Sequence, residues 1–235
     1  GYGCPYMADY FANTFGGKHL ETKVGTCAVE SLGNSKDGLR LSWTSADNAS
    51  GYKIYRKTAT SAYKCIAEIK GSGVRTYTDK TAAAGIRYRY AVRGVNGTTE
   101  GQPAATKALV RLNQPKYNVK NAYSGVKVSW NKVKGASGYK IYRKAPGQNG
   151  WKQYKVLSAG TLTFVDKNVT NYRNYTYTVK AFKGTSASSY DTVGVRLYRM
   201  PGCKAKTVRS NSRKTMDVTW NKVRYVSGYQ IQYST

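Results

Sequence analysis

The heptapeptide Gly-Tyr-Lys-Ile-Tyr-Arg-Lys occurs twice, at Gly51–Lys57 and Gly138–Lys144, 87 residues apart. The same interval links Trp43 to Trp130, Asp79 to Asp166, Tyr88 to Tyr175, Tyr90 to Tyr177 and Val92 to Val179. A third copy opens near Pro201, where residues 215–235 repeat the pattern of residues 126–144. In every copy a tryptophan stands eight residues before the glycine of the Gly-Tyr pair: Trp43/Gly51, Trp130/Gly138 and Trp220/Gly228. A chain that restates one unit at a fixed interval folds as a series of like units, each with its own core. The 235 residues hold two full units and the first third of another.

Inside each unit the apolar residues alternate. Leu39, Leu41 and Trp43 take every second place, as do Val126, Val128 and Trp130, and again Met216, Val218 and Trp220. Tyr88, Tyr90 and Val92 alternate too, and so do Tyr175, Tyr177 and Val179. A period of two marks half-buried strands, because successive side chains leave a strand on opposite faces. Turn-forming clusters such as Gly71-Ser72-Gly73, Val95-Asn96-Gly97 and Ala145-Pro146-Gly147 separate them. Short strands at this spacing, with no helical stretch between, predict an antiparallel β-sandwich for each unit. Residues 1–23 stand outside the repeat. Pro5, the spacing of Met7, Tyr10, Phe11 and Phe15, and the stop at Gly16-Gly17 predict a short helix there, read as the tail of an upstream domain.

An apolar strand ending in Trp43, then Gly51-Tyr52 opening the next strand, then Tyr88-x-Tyr90-x-Val92 running into Val95-Asn96-Gly97, is a specific order. It resembles fibronectin type III modules, in the form found in tandem on secreted and surface proteins of Gram-positive bacteria. The resemblance runs over residues 24–235 and implies an all-β chain of immunoglobulin-like sandwiches: 24–112, 113–199 and an incomplete 200–235. It also implies that Trp43 and Trp130 are core tryptophans, joined by Trp220 in the third copy, and that Tyr88 and Tyr175 are tyrosine corners bonded back to nearby backbone. Tyr52 and Tyr139 face the same core by parity. The third copy reaches Thr235 before the strands that would cover it. The expectation is that the natural chain continues; the alternative is a neighbouring chain that supplies those strands.

Enzyme chemistry finds little to build on. One histidine, His19, excludes a multi-histidine metal site, and no nucleophile elbow, phosphate-binding loop or paired Cys-x-x-Cys occurs. Cys4 at a helix start resembles a nucleophile position, but it lacks later histidine and carboxylate partners. The expected role of Cys4 is a disulfide with Cys27, worth ~3 kcal/mol in loop entropy. Four cysteines permit three pairings, so the sequence leaves connectivity open. No metal and no cofactor is expected, and no apolar run is long enough to span a membrane. A recurring Asp79/Asp166 points to a structural carboxylate in the turn after a strand.

The charge is the remaining signal. Lys and Arg number 39 against 11 Asp and Glu, a formal net charge of +28. If Tyr52, Tyr88 and Tyr90 face inward, Lys53, Tyr55, Lys57, Arg87, Arg89 and Arg93 share the outer face of one sheet. Lys140, Tyr142, Lys144 and Lys180 repeat it in the second unit. Such a face suits an anionic polysaccharide or a host glycoprotein, and equally serves solubility. Specific nucleic-acid binding is not expected. The functional expectation is a non-catalytic spacer or adhesion region of a secreted, wall-associated bacterial protein, limited in bending by short connections near Asn113–Lys116 and Met200–Cys203. The alternatives are the accessory region of a modular surface hydrolase or peptidase, a host-protein binder, and a strand-exchanging assembly subunit.

Overall fold

The computed structural model describes residues 23–210 and 215–232. Cys4, His19 and the expected N-terminal helix lie outside these residues. Everything described is strand, turn or loop.

The first sandwich contains β1 (Val29–Asn34), β2 (Leu39–Trp43), β3 (Gly51–Lys57), β4 (Lys64–Lys70), β5 (Thr76–Asp79) and β6 (Arg87–Asn96), followed by the short β7 (Thr99–Glu100), β8 (Ala104–Ala105) and β9 (Leu109–Val110). One sheet has the order β1-β2-β5. The other runs β4-β3-β6, with β7, β8 and β9 all paired to β6. The second sandwich repeats this with β10 (Tyr117–Ala122), β11 (Gly125–Trp130), β12 (Gly138–Lys144), β13 (Lys152–Ser158), β14 (Thr163–Asp166), β15 (Asn174–Lys183), β16 (Ser186–Ala187) and β17 (Val195–Tyr198). Its sheets run β10-β11-β14 and β13-β12-β15, with β16 and β17 on β15. A three-stranded sheet opposed to a sheet centred on the third and sixth strands is the fibronectin type III arrangement of an immunoglobulin-like sandwich.

The cores follow the alternation. In the first copy Leu39, Leu41, Trp43, Tyr52, Ile54, Tyr90 and Val92 are buried. Their counterparts Val126, Val128, Trp130, Tyr139, Ile141, Tyr177 and Val179 belong to one apolar cluster in the second. The Trp–Tyr spacing has a geometric meaning. The rings meet at 5.4 Å in the Trp43–Tyr52 pair, 5.4 Å in Trp130–Tyr139 and 5.3 Å in Trp220–Tyr229. Each tyrosine hydroxyl then accepts the backbone N–H six residues upstream, from Ala46, Val133 and Val223. One short segment thus fills the core and ties down the connection between two strands. Tyr175 is a tyrosine corner, its hydroxyl accepting the N–H of Thr170 at 2.9 Å.

A second repeated device closes each sandwich. Buried Arg111 donates to Asn34 Oδ1 and to the carbonyls of Ser35, Lys36 and Leu112, while Asn34 Oδ1 also accepts the N–H of Leu112. Buried Arg199 does the same with Asn121 Oδ1 and the carbonyls of Ala122, Tyr123 and Met200. The N–H of Met200 donates to Asn121 Oδ1. A guanidinium supplies five fixed donors, so one side chain satisfies a whole tight turn.

In the third copy β18 (Ala205–Ser210) pairs with β19 (Met216–Trp220). The segment Gly228–Gln232, expected as the next strand, forms no ladder. Its equivalents β3 and β12 are held between two strands each, and the described part of the third copy offers neither neighbour. Cys27 is buried, its side chain pointing into the core with Sγ 3.7 Å from the Val92 carbonyl, while Cys4, its expected bridge partner, lies outside the described residues. Burial pushes that thiol's pKa up. Cys65 and Cys203 are exposed free thiols.

By compactness the chain divides into two units. Among the described residues, one comprises residues 23–32 with Arg40–Thr78 and Arg87–Leu109; the other comprises Gly33–Leu39, Asp79–Ile86 and the described residues from Val110 on.

Candidate anion-binding faces

Strand parity places the outward side chains of the first unit. Lys53, Tyr55 and Lys57 of β3 share a face with Arg87, Arg89 and Arg93 of β6, while Tyr52, Ile54, Tyr88, Tyr90 and Val92 point inward and are buried. Lys53 stands opposite Arg93, and Lys57 opposite Arg89. Like charges placed directly across a ladder repel, so each pair calls for a counter-charge.

The first pair has one built in. Glu100 of β7 brings Oε1 to 2.8 Å from Lys53 Nζ and Oε2 to 3.7 Å from Arg93 Nε. The Tyr55 hydroxyl donates to both oxygens, at 3.1 and 2.9 Å. Glu68, opposite Lys53 on β4, adds a looser contact at 3.6 Å. The expected uniform basic stripe is therefore interrupted at its centre. The hydrogen bond from Lys53, then that from Tyr55, holds the Glu100 carboxyl below the usual carboxylate range.

A depressed folded pKa means that Glu100 contributes stability above its unfolded value of about 4.3, and that this is lost as pH falls through the lower folded value. Protonation also frees Lys53, Tyr55 and Arg93. On a sulfated polymer, which stays ionised in acid, retention of the protein is expected to rise as pH falls below the usual carboxylate range. Comparing elution salt with Glu100→Gln, where the donors are free at every pH, isolates this effect. An equal rise in both proteins would exclude Glu100 as its source.

The second pair has no such partner among the described residues. Lys57 Nζ lies 4.9 Å from the Tyr63 ring, and Lys57, Arg87 and Arg89 line a shallow depression of about 310 Å³ beside Tyr88. Arg87 and Arg89 are exposed.

In the second unit the outward residues of β12 and β15 include Lys140, Tyr142, Lys144 and Lys180, with Lys140 directly opposite Lys180. Lys180 Nζ sits 4.4 Å from the Tyr190 ring and 5.8 Å from Tyr142, and these two rings stack. Lys140 approaches Phe182 and Lys144 approaches Trp151. Burial first, and then the neighbouring Lys140, pulls the pKa of Lys180 down. Tyr190, Trp151 and Glu100 were not singled out from sequence. They lie in the loops and short strands after the motifs, where the 87-residue pattern fades.

Two other features compete for attention, and both are structural. Asp166 is fully buried and accepts Arg143 Nη1 at 2.7 Å, the Tyr154 and Tyr177 hydroxyls at 2.8 Å each, and the N–H of Asn168 at 3.0 Å. Those donors occupy the acceptor positions of the carboxylate. Asp79 caps the equivalent turn by accepting the N–H and hydroxyl of Thr81. A cleft of about 910 Å³ is lined by Met216, Val218, Trp220, Val223, Tyr229 and Ile231 among others. Their counterparts in the second sandwich are core, so the cleft is a sandwich interior without its opposing sheet.

No protein-family model matches the sequence, and no curated protein does. Among solved structures, a two-domain fibronectin type III segment of chicken tenascin is similar at 13% identity and a TM-score of 0.39, over 74% of this chain and 98% of that one. The FN1–FN3 domains of chicken CNTN1 are similar at 18% identity and 0.35, over 74% and 68%. The chicken interferon gamma receptor alpha chain is similar at 11% and 0.41, over 76% and 98%. The fold assignment rests on the strand order and the cores described above. No helix among the described residues is long and apolar enough to cross a membrane.

Proposed function

We propose that this chain is a non-catalytic spacer and adhesion region, of the kind carried by secreted bacterial surface proteins, that contacts anionic polysaccharide through the outer faces of its sandwiches. The secreted, wall-associated setting follows from the family resemblance alone. Each sandwich closes on its own core, which suits a mechanical role, and its fully saturated Asp166 offers no chemistry to a substrate. The observation that carries the binding reading is the set of like-charged cross-strand pairs, Lys57–Arg89 and Lys140–Lys180, which face outward with no carboxylate within ion-pair distance among the described residues. A polyanion relieves that repulsion, and its attraction is screened by salt.

The test is retention on immobilised sulfated and carboxylated polysaccharides, with neutral dextran as control. The protein is expected to elute at a salt concentration that falls in the quadruple variant Lys57→Gln/Arg89→Gln/Lys140→Gln/Lys180→Gln. Four surface charges at ~0.2–1 kcal/mol each amount to at least a severalfold loss of affinity. Elution of the variant together with the parent protein would remove these faces from the function.

A further inference from the structure

The first sandwich shows what its outer face can hold. Lys53, Tyr55 and Arg93 converge on one carboxylate, that of Glu100. The second sandwich keeps the same donors at the same register: Lys140 for Lys53, Tyr142 for Tyr55 and Lys180 for Arg93. It lacks the acceptor. Glu100 pairs with Val95 on β6, and the residue paired with the equivalent Phe182 on β15 is Ala187. Glu68, opposite Lys53, is likewise replaced by Val156, opposite Lys140. Both acids have been exchanged for apolar residues while the cations and the phenol remain.

We infer that Lys140, Tyr142 and Lys180 form a binding site for an external carboxylate, in the place that Glu100 fills in the first sandwich, and that the ligand is an acidic polysaccharide presenting uronate-type groups. This deepens the adhesion reading and rests on it for the polymeric nature of the ligand. The stacked rings of Tyr142 and Tyr190 hold Lys180 Nζ in place from beneath. Half-buried, and facing Lys140 without a counter-ion, Lys180 is disfavoured as a cation, and an incoming carboxylate removes that penalty. The Tyr142 hydroxyl supplies direction, as Tyr55 does for Glu100. In the first sandwich Glu100 acts as a tethered competitor at an effective concentration that free ligand does not match.

Transplanting the acceptor tests this. Ala187→Glu is expected to raise the melting temperature of the second sandwich by about 2–6 °C, because the new carboxylate reaches the waiting cations. The same variant is expected to weaken retention on a polyuronate column about three- to tenfold, matching Lys140→Gln/Lys180→Gln. Glu100→Ala is expected to do the reverse: retention strengthens and the first sandwich loses stability. Lys53→Gln/Arg93→Gln should leave retention at the parent level. If Ala187→Glu changes neither melting nor retention, the donor set does not take a carboxylate and the inference fails. If retention persists on sulfated polymer through Ala187→Glu while polyuronate is never held, the adhesion reading survives through Lys57 and Arg89 and this site is refuted. If the protein is held on no polyanion but Ala187→Glu still stabilises, the adhesion reading falls while the carboxylate preference of the donors stands.

Discussion

Asp166→Ala is expected to destabilise the second sandwich by about 3–5 kcal/mol, the range for stripping one partner from a buried charge pair. The carboxylate is fully buried, and the Arg143 side chain that it neutralises is only 17% exposed. Removing it leaves a guanidinium, two phenols and a backbone N–H without their acceptor. Each orphaned donor carries a desolvation cost of about 1–3 kcal/mol unless water enters. Arg143 would keep its stacking on Tyr154 at 3.9 Å, its approach to the Tyr175 ring at 5.5 Å and its bond to the Asn168 carbonyl. For a domain of this size, 3 kcal/mol corresponds to at least about 12 °C in melting temperature. Differential scanning calorimetry should show one transition shifted and the other unmoved, because Asp79 caps its own turn through Thr81. Asp166→Asn, which keeps the shape and one acceptor, is expected to lose about half as much. An unshifted transition in Asp166→Ala would mean that the network is ornamental, and would reopen a functional reading of the site.

That recurrence of aspartate was legible in the sequence as a turn element, but its depth was not. Asp79 and Asp166 appear as isolated acids in a basic chain, and only the topology brings Arg143, Tyr154 and Tyr177 from three other strands onto Asp166. The same limit applies to the outer faces. Period-two alternation correctly separates inward Tyr88 and Tyr90 from outward Arg87, Arg89 and Arg93, because parity is a local property of a strand. The quenching of Lys53 and Arg93 is non-local. Glu100 sits on a two-residue strand whose pairing with β6 depends on the turn at Asn96–Gly97. The linker arginines are similar: Arg111 and Arg199 look like two more surface cations, yet both are buried in carbonyls of a distant turn. A cation-rich sequence therefore overstates its free charge. The repeat still carries the decisive information, because the copies differ at the position, Glu100 against Ala187, where the chemistry diverges.

Trp130→Ala is expected to cost the second sandwich about 3–5 kcal/mol, while Trp130→Phe costs less than about 2 kcal/mol. The indole is buried against Tyr139 with ring centroids 5.4 Å apart, inside a cluster that includes Val119, Val128, Tyr175 and Val179. Its Nε1 is buried and finds no protein acceptor, as is also true of Trp43. Phenylalanine thus gives up volume but no hydrogen bond, and it sheds an unsatisfied donor, whereas alanine opens a cavity that a rigid pair of sheets cannot collapse around. Denaturant unfolding followed by tyrosine fluorescence would separate the two substitutions by a clear difference in midpoint at equal slope. Trp220→Ala supplies the internal control. That indole keeps its tyrosine at 5.3 Å but lines the open cleft of the third copy, so the same truncation removes few packing partners. Its expected cost is below about 1 kcal/mol. Equal losses at Trp130 and Trp220 would show that the Trp–Tyr pair is stable by itself, and that the opposing sheet contributes far less to these sandwiches than their burial implies.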